Sequence, residues 1–268
     1  MLWILLAAVA LAGACLLRVR RTNAQMLSAT EAWSAADGPG ELLRLHTAFD
    51  RAEPSWSLLL SEDGVEIGTG WAQSPCGRRM RVYRAVSMLD ADTISVDRIR
   101  ALLDGGFLTE AVWFKDDYQG GQRLQTEPPC EGTTSWIAQY VSDLKMPPFW
   151  HRDFVYRVLC RELPPSLFAT QAIRGVACRQ IVLGYRSVSW PQVGPRLARA
   201  IQLPSLDRIT LLADGRIQWE HIMTFHLGGL FPVWLTNQMA TPAARVLWHE
   251  AVNMRAHCAP SVRSRASV

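Results

Sequence analysis

Along residues 217–227 apolar and polar side chains take turns: Ile217, Trp219, Met223, Phe225 and Leu227 alternate with Gln218, Glu220, Thr224 and His226. A repeat of two sends successive side chains to opposite faces of a strand, so one face of this segment meets an apolar interior. Further β-prone runs span 135–142, 153–161, 177–189, 196–202 and 207–213, with turn-forming residues between several of them. Past Gly228 and Gly229 the period lengthens. From 232 to 256, Leu235, Met239, Val246, Leu247 and Met254 recur at helical spacing. Pro242 should kink that helix or open a new turn after Thr241.

Upstream the pattern is mixed. Residues 41–51 have helical spacing, 56–60 read as a strand, and Asp63-Gly64 is a hairpin signal before Val65, Glu66 and Ile67. A strand is expected over 80–88, and 95–103 reads as a helix capped by Ser95 and ended at Gly105-Gly106. No internal repeat is present. One antiparallel sheet followed by a long amphipathic helix predicts an α+β domain.

The N-terminus departs from this plan. Residues 2–17, LWILLAAVALAGACLL, carry no charge, and Arg18, Arg20 and Arg21 follow at once. The run is shorter than the ~20 residues a helix needs to cross hydrocarbon, although snorkelling arginines extend its reach. A cleaved signal peptide is the rival reading, but such a peptide carries its positive charge before the apolar run. The order found here predicts an uncleaved single-pass anchor, with the downstream domain facing the cytosol.

The organisation expected is therefore an anchor over 1–21, a linker over 22–40 around Asp37-Gly38-Pro39-Gly40, a domain over 41–257 and a polar, disordered tail over 258–268.

Composition narrows the function. Nearly half of the residues, 49%, are apolar, enough to build a sizeable core. The net charge of +4 comes from scattered residues, with no basic stripe and no nucleic-acid module, so no nucleic-acid partner is expected. Six cysteines without paired spacing read as reduced thiols. No GxSxG elbow, P-loop, HExxH or dinucleotide fingerprint is found, and the histidines lack metal-ligand spacing. No catalytic residue, cofactor or metal is expected.

Four elements in order resemble the START family of lipid-transfer domains, within the helix-grip (Bet v 1-like) fold. Trp113-Phe114-Lys115-Asp116 falls where the family has a Trp-Asp element. Arg152-Asp153-Phe154-Val155-Tyr156, after Pro147-Pro148, is similar to its Arg-Asp-aromatic-Val strand start. Arg186-Ser187-Val188, then Pro191, Pro195 and Arg199-Ala200, resembles its Ser-Val, proline-loop and Arg-Ala sequence. Leu227-Gly228-Gly229-Leu230-Phe231-Pro232-Val233-Trp234-Leu235-Thr236-Asn237 looks like its Gly-Gly-x-x-Pro-x-Trp-x-x-Asn helix entry. The likeness covers roughly 45–257. His226 departs from it, standing where the family often has Asp.

The resemblance implies a curved antiparallel sheet wrapped around the C-terminal helix, with a tunnel between them that holds one lipid. Such a container has a physical purpose, since a 16-carbon acyl chain costs on the order of 12 kcal/mol in water at ~0.8 kcal/mol per methylene. Phe154, Tyr156 and Val158 are expected to face inward, while the charges of Arg152 and Asp153 tie the strand mouth to neighbouring backbone. Trp219, Met223 and Phe225 share the apolar face of their strand, and Leu235, Met239 and Val246 pack from the terminal helix. His221 lies on the same strand face, as a head-group contact or an ordinary core histidine. Cholesterol-binding members carry a buried acid and arginine, and ungapped counting from Arg152 puts Gln139 and Val158 in those places. A neutral amide there favours a phospholipid or other acyl lipid over a sterol.

The expected function is non-catalytic binding and transfer of a lipid between membranes, with the terminal helix and the loop after Trp190 gating entry. A cavity enzyme acting on an apolar substrate, or a lipid sensor without net transport, are the alternatives.

Overall fold

The computed structural model describes residues 2–35, 39–52, 56–90, 94–103, 118–143, 151–168, 177–191 and 197–258. Two helices come first, α1 (Leu2–Ala35) and α2 (Pro39–Ala52). Strands β1 (Ser57–Glu62), β2 (Val65–Gln73) and β3 (Arg79–Asp90) form a meander. Asp63 and Gly64 close its first hairpin at φ 51° and 70°, the left-handed pair a two-residue turn demands. Next is the short helix α3 (Val96–Ala101), whose N-cap Ser95 accepts the Arg98 amide. Strands β4 (Tyr118–Cys130), β5 (Thr133–Asp143), β6 (His151–Leu163) and β7 (Ala177–Ser187) follow. Short β8 (Ala198–Arg199) and β9 (Ile201–Gln202) lead to β10 (Ser205–Leu212), β11 (Arg216–Met223) and β12 (Phe225–His226). The chain closes with α4 (Val233–Gln238) and α5 (Ala240–Cys258).

The large sheet runs β1-β2-β3-β11-β10-β7-β6-β5-β4, antiparallel along this path, with β8 added in parallel to β6. Helix α5 lies over β1, β2 and β3 on one face, here called the inner face. Its stripe of Ala243, Ala244, Leu247, Ala251 and Met254 joins one apolar cluster with Val65, Ile67, Tyr83, Phe154, Tyr156, Val158 and Trp219. The Trp248 indole donates to the Glu62 carbonyl and the Arg255 guanidinium to the Asp63 carbonyl, fastening α5 to the first hairpin. On the outer face α2 packs Leu42, Leu45 and Phe49 against Val82, Leu159, Val182, Leu206 and Ile222. A buried ion pair between Glu41 and Arg186 pins that helix down.

Several expectations need correction. The N-terminal anchor does not stand: among the described residues no helix is long and apolar enough to cross a membrane. The uncharged run is short, and the cytosol-facing placement argued from it loses its basis. The helix also continues through much of the expected linker, as far as Ala35. Asn23, Met26 and Thr30 are buried there. Met26 packs against Met80, Ile201 and Leu203, so docking rather than composition sets where this helix runs.

Strand β4 was not foreseen: its glycines and its Pro128-Pro129 pair interrupt any run of β-prone residues. As an edge strand it tolerates residues that cannot donate to a ladder. The terminal helix breaks at Met239 rather than at Pro242, which sits in the first turn of α5, where an amide has no helical partner to lose. The segments holding Gly105-Gly106, Trp113–Asp116, Pro147-Pro148 and the tail from 259 lie outside the described residues.

Candidate functional site

Ladder register decides which side chains share the inner face. Tyr156 lies opposite Ala138, Phe154 opposite Tyr140 and Val158 opposite Trp136. All six are buried in the inner cluster, so the predicted inward set on β6 is brought together. Aromatic rings continue across the strands. Ring centroids stand 5.4 Å apart for Tyr118 and Tyr140, 6.1 Å for Tyr140 and Phe154, and 6.1 Å for Tyr156 and Tyr185. Burial pushes the Tyr156 and Tyr185 hydroxyls far up from their ordinary range, so both remain neutral donors.

Trp219 and His221 share this face and converge on a residue the sequence reading missed, Asp207 of β10. The Trp219 indole N–H donates to Asp207 Oδ1 at 2.9 Å, and His221 Nδ1 lies 2.8 Å from the same oxygen. The Tyr185 hydroxyl is also bonded to this carboxylate. Burial alone would favour a neutral Asp207. The charge on His221, with hydrogen bonds from His221, Tyr185 and Trp219, outweighs it and holds the carboxyl below its usual range. Glu250 of α5 is buried as well, and its charge helps to raise Tyr156.

Strand β3 adds two hydroxyls. Ser87 lies opposite Trp219 and Tyr83 opposite Met223, with Ala85 between them opposite His221. Tyr83 and Ser87 are each 1% exposed. Among the described residues neither the Tyr83 hydroxyl nor Ser87 Oγ has a hydrogen-bond partner. Burial pushes the Tyr83 hydroxyl up to about 12, against the opposing charge of Arg81. Met223 and Phe225 are half-buried against the inner cluster, Phe225 stacking on Tyr83 at 6.3 Å.

Other predicted positions fall elsewhere. Gln139 pairs with Val155, an odd step from Tyr156, and so lies on the outer face, where its Oε1 accepts from Gln122. Trp136, not Gln139, stands beside Val158. Val246 is 48% exposed, because the helix turns Leu247 toward the sheet instead. Leu235 and Met239 are half-buried near the joint of α4 and α5 and do not enter the inner cluster. Trp190 packs on the outer-face group of Ile137, Val155 and Val188.

Arg152 and Asp153 do fasten the strand mouth. Arg152 Nε donates to the Leu227 carbonyl at 2.9 Å, and Asp153 Oδ2 accepts from Arg199 Nε at 2.9 Å. Beside them an open cleft of about 590 Å³ runs between α1 and the Gly228-Gly229 turn, with Arg20, Asn23, Leu27, Arg152 and Arg199 among its walls. His226 seals the other side of that turn. It is fully buried, with Nε2 2.7 Å from Asn23 Oδ1 and Nδ1 2.9 Å from Thr236 Oγ1. Asn23 Nδ2 donates to the carbonyls of Gly229 and Phe231, so its oxygen must accept. The network therefore places the proton on His226 Nε2 and makes Nδ1 the acceptor for Thr236. Burial lowers the imidazole to about 4.

No family model matches the sequence, and no curated protein matches it. Solved structures do. The human StarD13 (DLC2) lipid transfer and protein localization domain superposes with a TM-score of 0.53 at 18% identity, over 81% of this chain and 95% of that one. Human StAR-related lipid transfer protein 5 gives 0.54 at 14% identity, over 88% and 96%. Human STARD10 gives 0.50 at 14% identity, over 77% and 78%. At these identities the likeness shows a fold: the chain is built on the START-like α+β plan, a long antiparallel sheet closed by a C-terminal helix.

Proposed function

We propose that this protein binds one amphiphilic acyl lipid between the inner face of the sheet and α5, and carries it between membranes without breaking a bond. The observation that carries the reading is the inner face itself. Its aromatic wall of Tyr140, Phe154 and Tyr156 adjoins a buried polar group around Asp207, under a helix fastened mainly to the first hairpin. An apolar wall replaces the water that an acyl chain loses, and the polar group receives the other end of the molecule. Solved proteins of the same fold are named for lipid transfer, which supports the same reading.

Native mass spectrometry of the full chain purified from cells, followed by a vesicle-to-vesicle transfer assay, tests the proposal. A stoichiometric co-purifying lipid and accelerated transfer are expected. A chain that carries no lipid and moves none between vesicles would overturn it.

A further inference from the structure

The inner face is more polar than an acyl chain requires. Burying a hydroxyl without a partner is unfavourable, because the group loses its bonds to water and gains none. Tyr83 and Ser87 are such groups, two residues to either side of Ala85, which lies opposite His221. Behind His221 stands the Asp207 carboxylate, already holding Trp219 and His221. These side chains come from three adjacent strands, β3, β11 and β10, and ladder register puts them in one patch on one face.

The charge around that patch is specific. Asp207 and His221 offset one another, while the buried Glu250 carboxylate of α5 acts on Tyr156. Arg81 lies two residues from Tyr83 on the same face and its charge reaches that hydroxyl, but it and the other arginines of this face are engaged with other partners. Arg81 donates to the Asn237 carbonyl and to Thr69, Arg123 stacks on Trp136, and Arg152 donates to the Leu227 carbonyl. A phosphate placed at Tyr83 and Ser87 would be desolvated beside an Asp207–His221 pair whose charges already offset one another, and Arg81, the cation that reaches Tyr83, is held by Asn237 and Thr69 instead of forking onto it. A hydroxyl or amide head meets donors and acceptors there at no such charge cost.

We infer that the patch of Tyr83, Ser87 and the His221–Asp207 pair receives an uncharged, hydroxyl- or amide-bearing head group, and that the preferred ligand is an acyl lipid without phosphate. The inference rests on the lipid-binding reading above and narrows it. Asp207 acts as a positioning residue, orienting His221 and Trp219, while the two hydroxyls meet the ligand.

The test compares two probes with the same oleoyl chain, monooleoylglycerol and its phosphate ester, lyso-oleoyl phosphatidate. Each displaces a fluorescent acyl probe from the full chain at pH 7. The glycerol head should bind at least roughly tenfold tighter. Tyr83→Phe combined with Ser87→Ala, which removes only two oxygens, should erase most of that preference. Asp207→Asn should loosen selection against the phosphate ester, and a thermal melt checks that it folds. Equal or tighter binding of the phosphate ester overturns the inference but leaves lipid binding intact. So does a preference that survives the double substitution. Displacement by neither probe removes the lipid-binding reading as well.

Discussion

Acidification isolates the energetic role of His226. Its imidazole titrates near 4 in the folded chain, against an ordinary value of 6.5, because burial disfavours the charged form. The native state therefore binds fewer protons than the unfolded chain between those values. The stability this supplies is complete above 6.5 and is lost as pH falls toward 4. The gap is worth about 3 kcal/mol at ~1.4 kcal/mol per pH unit, with a little under half of it gone by pH 5.5. The groups bonded to the ring, Asn23 and Thr236, do not ionise, so the difference in slope between the parent and a His226 variant belongs to the imidazole. Urea unfolding of the full chain, followed by tryptophan fluorescence from pH 7 to 4.5, measures it. His226→Gln should lower stability at pH 7 by about 1–3 kcal/mol through broken hydrogen bonds, yet show a flatter pH dependence than the parent. Parallel curves for the two proteins between pH 6.5 and 4.5 would refute the reasoning.

Gly228 has φ 65°, and a β-carbon there would stand 1.9 Å from the Arg199 carbonyl oxygen, so Gly228→Ala should cost more than the ~1–2 kcal/mol of a left-handed residue alone, read as a fall in melting temperature. Ser95→Ala removes the oxygen that accepts the Arg98 amide, and should destabilise by about 1 kcal/mol in denaturant titration. Val158→Arg puts a charge on the inner face beside Trp136 and should reduce acyl-lipid loading severalfold by native mass spectrometry; unchanged loading would mean that this face does not hold the ligand.

Local pattern carried much of the architecture. Asp63-Gly64 marked a hairpin because left-handed backbone at both positions favours those residues. Ser95 marked a helix start, and the alternation after Ile217 placed Trp219 on the apolar face, because a pleat separates neighbours whatever lies around them. Phe154, Tyr156 and Val158 were expected inward from the family resemblance, and the ladder puts them on one face. Gln139 lies on the other. Counting back from Arg152 assumes a register that depends on how β5 and β6 meet, and an odd offset moves every side chain to the other face. Asp207 was hidden for a different reason. Strand β10 is central and covered on both faces, so Asp207 and Arg208 are both buried, one bonded to Trp219 and the other paired with Glu220. No alternation of polarity remains there to reveal which side is which. Helix α1 was likewise underdetermined: its polar second half is held by contacts with the turn at Gly229 and with Met80, residues far away in sequence. Period, caps and turns are properties of a few adjacent residues, so the chain alone specified the first hairpin, the capped helix and the apolar face of the alternating strand β11. Which charges meet behind that face is set by strands that become neighbours only in the folded sheet, and the tertiary structure alone decided it.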